Sequence, residues 1–481
     1  MESTEREFFR TIREAIFSNP FGERRIALDR MAAGMTKGAS VEELLARLVE
    51  KVGGMVAGVE SRPSQPLSSE EVELLNYGKL FHTFHLFCDD YDAHIQEQVK
   101  KGDECIPITF GRDILSRLDE QGFGAEDSKR YLALFFQMRR AFYFIRMIAG
   151  ESKCVMDLRR ALWNNVFTGD ILLYDRYLQG RMEDFSTMIL GETGTGKGMA
   201  AGAIGRSGFI PYNARKNRFT ESFAKAFISI NLSQYPDQLI ESELFGHKKG
   251  AFTGAVEAHL GVFSRCSPCG AIFLDEIGDV EVPIQIKLLQ VLQARFFSPV
   301  GSHRREKFQG RVIAATNKDL NKLREEGAFR DDFYYRLCSD LIEIPPLRTR
   351  IGQNPEELRV LLGVVLQRIV GGHAGELVDP IHEQIVLQQP ENYGWPGNIR
   401  ELEQCVRRML LSKKYDWKQT GVDNSNELVR AVNEGRYTAS QLLSRYCRLL
   451  YEQNGTYEGV ARIMDLDRRT VKKYVQSAEE L

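Results

Sequence analysis

The sequence predicts a multidomain chain: an all-α N-terminal region, an α/β core on a mostly parallel sheet, and an all-α C-terminal end. Three observations predict this. Residues 1–60 place apolar side chains at three and four spacing (Phe8, Phe9, Ile12, Ile16; then Leu44, Leu45, Leu48, Val49, Val52), and 70–150 continue that helical pattern with many aromatics. From about 185, short apolar segments, "FSTMIL", "AFISIN", "AIFLDEI" and "RVIAATN", alternate with amphipathic helices, the texture of a parallel sheet. The last 45 residues are helical and locally basic.

The N-terminal part holds a Pro/Ser linker, "ESRPSQPLSSEE", ending in a helix-start signal. No strand-helix alternation with acids at strand ends is present here, so a phosphorylated receiver is not expected. In "LFHTFHLFCDDYDAH", His82, His85 and Asp89 fall on one face at 100° per residue, with Cys88 further round. A metal or redox sensor could be built so; histidines packed on an aromatic core are the favoured reading. The aromatic stretch 131–148 reads as core or interface rather than as an effector pocket.

The first α/β segment is followed by "GETGTGKG", which fits G-x-x-x-x-G-K from Gly191 to Lys197. Glycines there let backbone N–H groups turn around phosphate oxygens, the helix N-terminus adds partial positive charge, and Lys197 reaches the outer phosphates. Gly198 stands where Ser or Thr would ligate magnesium. In "AIFLDEIGD" an apolar strand ends in Asp275 and Glu276, a costly place for uncompensated carboxylates unless they work. Asp275 is placed to hold magnesium and Glu276 to activate water. "RVIAATNKDL" ends in Thr316 and Asn317, polar groups able to sense a γ-phosphate. "FRDDFYYRL" carries Arg330 and Arg336. "GRSGFIPYNARKNRFTESFAKAF", 205–227, is a long excursion read as a surface elaboration, with a regulatory contact as the alternative.

The order "GETGTGKG", "ESELFGHKKGAFTGA", "AIFLDEIGD", "RVIAATNKDL", "FRDDFYYRL", "PPLRTR" and "YGWPGNIRELE" closely resembles the AAA+ domain of bacterial enhancer-binding proteins, the ATPases that activate sigma-54 RNA polymerase. The likeness covers about 185–412, and a weaker one to a Fis-type helix-turn-helix covers the C-terminal 45 residues. It implies an AAA+ P-loop core with a helical lid, using ATP and Mg2+. Gly191, Glu192, Thr193, Gly194, Thr195, Gly196, Lys197 and Gly198 would bind ATP, with Arg400 closing the lid as second sensor. Asp275 and Glu276 would form the magnesium and water-activating pair. Asn231 would restrain the catalytic Glu, Asn317 would be the first sensor, and Arg330 and Arg336 would act between subunits. Gly250, Ala251, Phe252, Thr253, Gly254 and Ala255 would form the loop that touches sigma-54. Gly198 replaces a Glu common in the family, and the segment before "FSTMIL" matches poorly, so base-contacting residues stay unassigned.

In "GVARIMDLDRRTVKKYVQ", Val460, Ala461 and Ile463 form an apolar face, and Asp467 would cap the last helix. That helix is expected to carry Arg468, Arg469, Thr470, Lys472, Lys473 and Tyr474 toward DNA, with Val471 and Val475 inward. The expected divisions are 1–155 (helical sensory region of unknown ligand), 156–345 (α/β ATPase), 346–415 (lid), 416–435 (linker) and 436–481 (helix-turn-helix).

Composition sets the bounds. With 481 residues, 27% charged and 43% hydrophobic, there is room for about three domains. A net charge of −2 confines any nucleic-acid contact to local basic patches. No apolar run is expected to reach the ~18 residues of a membrane span, and "MESTEREFFRTIREAIF" is no signal peptide. Eight scattered cysteines suit a reducing cytoplasm. Cys266 and Cys269 form the one CxxC; ordinary thiols are favoured over zinc or redox chemistry.

The function implied is a cytoplasmic sigma-54-dependent activator. By resemblance it would bind upstream DNA, assemble into a ring, expected to be a hexamer, and hydrolyse ATP to open the closed promoter complex. The alternatives are an AAA+ remodelling ATPase acting on another protein, and a DNA-binding repressor with nucleotide as ligand only.

Overall fold

The computed structural model describes residues 1–35, 40–62, 66–391, 393–417, 432 and 435–477. Among them nine strands occur: β1 (Thr187–Leu190), β2 (Tyr212–Asn213), β3 (Arg218–Phe219), β4 (Phe227–Asn231), β5 (Ala271–Asp275), β6 (Phe296–Phe297), β7 (Glu306–Lys307), β8 (Arg311–Thr316) and β9 (Asp340–Glu343). Five of these make one parallel sheet in the order β4-β5-β8-β1-β9. The four anticipated apolar segments supply β1, β4, β5 and β8. The fifth, β9, escapes a sequence reading because only Ile342 of its four residues is buried.

A parallel sheet covered on both faces needs side chains that are apolar on both. On one face Ile189, Phe273, Ile313 and Ala315 pack with Ala200, Ala201 and Ile204 of the helix Lys197–Gly205. On the other, Met188, Ile272, Leu274, Val312 and Ala314 pack with Leu288, Leu292, Phe333 and Leu337.

The longer helices before the sheet are α1 (Ser3–Phe17), α2 (Glu23–Ala33), α3 (Val41–Glu60), α4 (Ser69–Leu86), α5 (Cys88–Lys101), α6 (Gly111–Glu120), α7 (Ala125–Arg146) and α8 (Lys153–Phe167). Capping boxes start α3 (Ser40 with Glu43) and α4 (Ser68 with Glu71), the second where the Pro/Ser linker signalled a helix start. Phe9, Ile12, Leu48, Val52, Leu74 and Phe81 close a core among α1–α4. α7 and α8 do something else: Phe136, Ala141, Phe144, Leu158, Leu162 and Phe167 belong to the same core as one face of the sheet.

The segment 205–227 is not the surface elaboration expected. β2 and β3 pair as a hairpin, and Tyr212, Phe219 and Phe223 are buried. The Phe219 ring meets Phe136 of α7 edge-on at 4.8 Å. Ile108 N donates to Asn217 O (2.8 Å), and Ser222 Oγ donates to Gly102 O (2.7 Å). Its aromatics need a partner, and the N-terminal helices provide it.

Arg140 of α7 is the buried centre of this contact. Its guanidinium donates to Phe136 O (3.3 Å), Arg206 O (3.2 Å) and Gly208 O (2.8 Å), the last two just beyond the helix Lys197–Gly205. Desolvation pushes its pKa down to about 10, so it remains charged at neutral pH. Arg140→Ala leaves the part-buried carbonyls of Arg206 and Gly208 without this donor and is expected to cost about 3 kcal/mol. A fall in the thermal midpoint of the full chain checks this; an unchanged midpoint would mean that water replaces the guanidinium.

The histidine cluster dissolves on inspection of the helices. α4 ends at Leu86 and α5 starts at Cys88, so Asp89 does not share a helix face with His82 and His85. His85 lies against the Phe81 ring at 4.0 Å, with Nδ1 2.8 Å from Phe81 O. Desolvation, with Arg25 nearby, pushes its pKa down to about 3. His82 Nδ1 is 3.2 Å from Arg117 Nη2.

After β9 come the helices Leu347–Gln353, Glu356–Val370, Ala374–Gln388 and Asn398–Ser412. Glu356–Gln388 is, contrary to expectation, long and apolar enough by composition to cross a membrane. It is two helices, interrupted at Gly371–His373, with Leu361, Leu362, Leu366 and Ile385 buried in the protein.

The chain divides into two compact units: Met1–Leu387 with Tyr393–Leu411, and Gln388–Asn392 with Ser412–Leu481. In the smaller unit, the helices Ala439–Asn454, Tyr457–Met464 and Arg468–Ser477 close around Cys447, Leu450, Val460, Val471 and Val475. Asp467 accepts from Arg469 N (2.8 Å) and Thr470 N (3.1 Å), the expected cap. Two expectations fail. Ile463 is 54% exposed rather than part of the apolar face, and Tyr474 packs half-buried against the core rather than pointing out. The helix is short, and its 100° steps bring position 474 beside Val471 and Val475. Most of the expected linker 416–435 lies outside the described residues.

Candidate active site

The chain leaves β1 at Leu190, loops through Gly191–Gly196 and enters a helix at Lys197. Gly194 (φ +80°) and Gly196 (φ +103°) take left-handed backbone that side chains disfavour. A Cβ on Gly194 would lie 2.3 Å from Gly397 O and 3.0 Å from Arg400 Cβ. The loop is therefore pressed directly beneath the helix Asn398–Ser412, with the root of the Arg400 side chain beside Gly194.

Lys197 is buried; its Nζ donates to Gly191 O (2.9 Å) and stands 3.9 Å from Glu276 Oε1. Because β5, β8 and β1 are neighbours, their C-terminal ends deliver Asp275, Glu276, Asn317 and the glycine loop to one edge. Glu276 turns sharply at φ +56°, and its N–H donates to Asp275 Oδ1 (3.1 Å). Desolvation raises the pKa of both carboxyls above the ordinary carboxylate range, with Lys197 opposing the shift. Asn317 Nδ2 donates to Thr193 Oγ1 (2.9 Å), tying the end of β8 to the glycine loop.

The remaining expected site residues make contacts of their own. Asn231 is the register partner of Asp275, but its Oδ1 accepts from Ser233 N (3.0 Å) and Ser233 Oγ (2.7 Å). Arg330 forms a two-pronged pair with Asp332 (2.9 and 2.7 Å) on the surface. Arg336 donates to Leu292 O (3.1 and 2.8 Å). Glu192 is paired with Arg348, whose Nη1 donates to its Oε2 (2.8 Å), with a second contact at Oε1. The Arg348 hydrogen bond holds its pKa below the usual range. Thr195 Oγ1 donates to Glu192 O (2.8 Å). A Cβ on Gly198 would meet only Phe273, at 3.9 Å, so this position is open rather than crowded.

Two site residues were missed in the sequence. Arg348 sits in "PPLRTR" and Asn398 in "GNIRELE", motifs noted without roles for these positions. Asn398, wholly buried, donates to Glu192 Oε2 (3.1 Å) and Thr193 O (3.1 Å) and accepts from Leu347 N (2.7 Å). An apolar cleft beside Thr195 and Gly196 is walled by Met147, Ile148, Leu158, Ile344, Leu361 and Ile399.

The segment Gly250–Ala255 lies between the helix Asp237–Phe245 and β5. It closes on itself through Gly250 N to Ala255 O (2.8 Å) and Ala255 N to Phe252 O (3.0 Å). Phe252 is 38% exposed, its ring edge-on to His247 at 4.9 Å, and Thr253 is exposed. The base is tied down: His247 bridges His259, Lys248 N donates to Val300 O (3.1 Å), and Val300 N donates to Gly246 O (2.8 Å). The Phe252–Thr253 tip is thus exposed while its root is anchored beside the β6–β7 hairpin. Desolvation pushes the thiols of the half-buried Cys266 and Cys269 up to about 12.

Residues 173–343 match the family described as the Sigma-54 interaction domain. That stretch is thus similar to sigma-54 interaction domains. The chain is 36% identical over 301 residues to the Nif-specific regulatory protein of Azotobacter vinelandii, covering 61% of this chain and 54% of that protein. It is 40% identical over 277 residues to the hydrogenase transcriptional regulatory protein HoxA of Cupriavidus necator (57% and 48% covered). It is 40% identical over 240 residues to the DNA-binding transcriptional regulator NtrC of Azospirillum brasilense (50% and 45% covered). The chain spans about half the length of the curated relatives it matches. Among solved structures, NtrX from Brucella abortus in complex with ADP aligns with a TM-score of 0.41 at 22% identity, covering 76% of this chain and 80% of that one. Within residues 173–343 lie the parallel sheet, the glycine loop after β1 and the Asp-Glu pair at the end of β5.

Proposed function

We propose that this chain is a sigma-54-dependent transcriptional activator: it binds DNA and hydrolyses ATP to convert the closed sigma-54 polymerase complex to the open one. The observation that carries the reading is the exposed Phe252–Thr253 tip, anchored at its root, within the stretch similar to sigma-54 interaction domains. The glycine loop and Lys197 would hold the phosphates, and the apolar cleft of Ile148, Ile344 and Ile399 would take the base. The partly desolvated carboxylate of Asp275 suits magnesium, which when bound would neutralise charge on the phosphates. Glu276, with its raised pKa and its place beside Lys197, would accept the proton of the attacking water. Asn317, bonded to Thr193, would report the γ-phosphate to the loop.

In a ring, Arg330 and Arg336 would exchange Asp332 and Leu292 O for a neighbour's phosphate, stabilising charge as the phosphoryl group transfers. Arg468, Arg469, Lys472 and Lys473 stay exposed and would meet DNA; Thr470 and Tyr474, both half-buried, would contribute less. The site of action would be the cytoplasm, where sigma-54 polymerase works.

Phe252→Ala tests the reading. ATPase should stay within about twofold, while open-complex formation should fall at least about tenfold, a loss of ~1.4 kcal/mol in coupling. Undiminished transcription by this variant would sink it.

A further inference from the structure

The connector 147–152 leads from α7 to α8 and lies against the first two helices after β9. Glu357, wholly buried, accepts the N–H of Glu151 (2.7 Å) and of Ser152 (3.0 Å) with Oε2. Ser152 is the N-cap of α8, where a helix leaves its donors unpaired, and Glu151 immediately precedes it. Glu357 Oε1 takes Arg350 Nε at 2.7 Å, and the buried Arg350 also donates to Ala149 O. Gln353 Oε1 accepts Cys154 N (2.8 Å). Gly150 sits at φ +133°, and a Cβ there would lie 2.2 Å from Glu357 Oε1 and 2.5 Å from Arg350 Nη2.

The same connector supplies Met147, Ile148 and Ala149 to the wall of the apolar cleft. The short helix Leu347–Gln353 therefore grips the cleft at two points. Arg348 holds the glycine loop through Glu192, and Arg350, half a turn on, holds the connector. α7 in turn ties the connector to the end of the helix Lys197–Gly205 through Arg140. A buried ion pair is a poor source of net stability compared with apolar packing. This one, however, satisfies three backbone groups of the connector and fixes where the cleft wall stands.

We propose that Arg350 and Glu357 are positioning residues for the nucleotide: through them the lid and the N-terminal helices jointly set the cleft wall and hence ATP affinity. This rests on the nucleotide-site reading above and adds residues outside its phosphate and catalytic groups. Signals reaching the N-terminal helices would act on nucleotide affinity through the connector.

The test uses the full chain and measures binding of a fluorescent ATP analogue, steady-state ATPase and amide exchange. Glu357→Gln keeps the shape and one acceptor but loses the charge. It should raise the analogue's Kd and the KM for ATP about tenfold, with kcat within about threefold. Exchange at Glu151 and Ser152 should accelerate. Arg350→Lys, which keeps a donor and the charge, should fall between Glu357→Gln and wild type; Glu357→Ala need not fold for the test to succeed. A lower thermal midpoint with unchanged Kd and KM would overturn the inference and leave the pair merely structural, as would a fall in kcat alone. Lys197→Ala is the control. If wild type and Lys197→Ala bind the analogue equally weakly, the nucleotide reading itself fails, and this inference with it.

Discussion

Glu276→Gln is expected to keep ATP binding and to lower turnover at least about a hundredfold. The side chain stands at a backbone turn of φ +56°, beside Asp275 and 3.9 Å from Lys197. Glutamine preserves volume and hydrogen-bonding reach but cannot accept the proton of water. The sign of the pKa shift adds two checks. Desolvation raises this carboxyl, so its base form is lost, as pH falls, at a higher pH than for an ordinary glutamate. Wild-type ATPase should therefore decline on acidification with a midpoint above the usual carboxylate range. A carboxyl raised in the folded state favours the fold only when protonated. Its penalty is absent below the unfolded pKa and fully present above the folded one. At neutral pH, Glu276→Gln should then leave the thermal midpoint unchanged or higher while turnover collapses. Turnover close to wild type would remove Glu276 from the chemistry, and a lowered midpoint would point to a structural role instead.

Removing residues 1–154 is expected to yield aggregated protein without nucleotide binding, not a released ATPase. The cut enters α8 and deletes α7. It uncovers Ala200, Ala203, Ile204, Ile210, Phe219 and Phe223, which now share a core with Phe136, Ala141 and Phe144. Each large apolar side chain returned to water costs about 1.5–3 kcal/mol, more in total than a domain's usual margin. The deletion also takes away Met147, Ile148 and Ala149 from the cleft wall and the connector groups that satisfy Glu357. Size-exclusion chromatography and analogue binding check this. A monodisperse, nucleotide-binding fragment would show that the N-terminal helices are dispensable, and only then could truncation report whether they restrain activity. Point substitutions on α7 are the better probe of regulation.

Some mistakes of sequence reading have local causes. His82, His85 and Asp89 share a face only if one helix runs through Phe87, and it does not. Ile463 is apolar and helical yet exposed, because a helix of eight residues, Tyr457–Met464, turns only one narrow side to its small core. The excursion 205–227 reads as surface when judged by length. Its aromatics, Tyr212, Phe219 and Phe223, are the signal that it docks on something.

By itself the sequence determined the features written in short-range pattern. Strand runs, the glycine loop, the Asp-Glu strand end, the exposed loop at Phe252 and the Asp467 cap each arise from residues a few positions apart, where backbone geometry and periodicity act directly. Tertiary structure alone decided how these parts meet. Glu192 finds Arg348 across 156 residues, and Glu357 finds the N–H of Glu151 across 206. No local pattern encodes such pairs. A carboxylate seeks whichever donors the folded core brings to it when water is removed, and only the packing of α7, the sheet and the helices after β9 determines which those are.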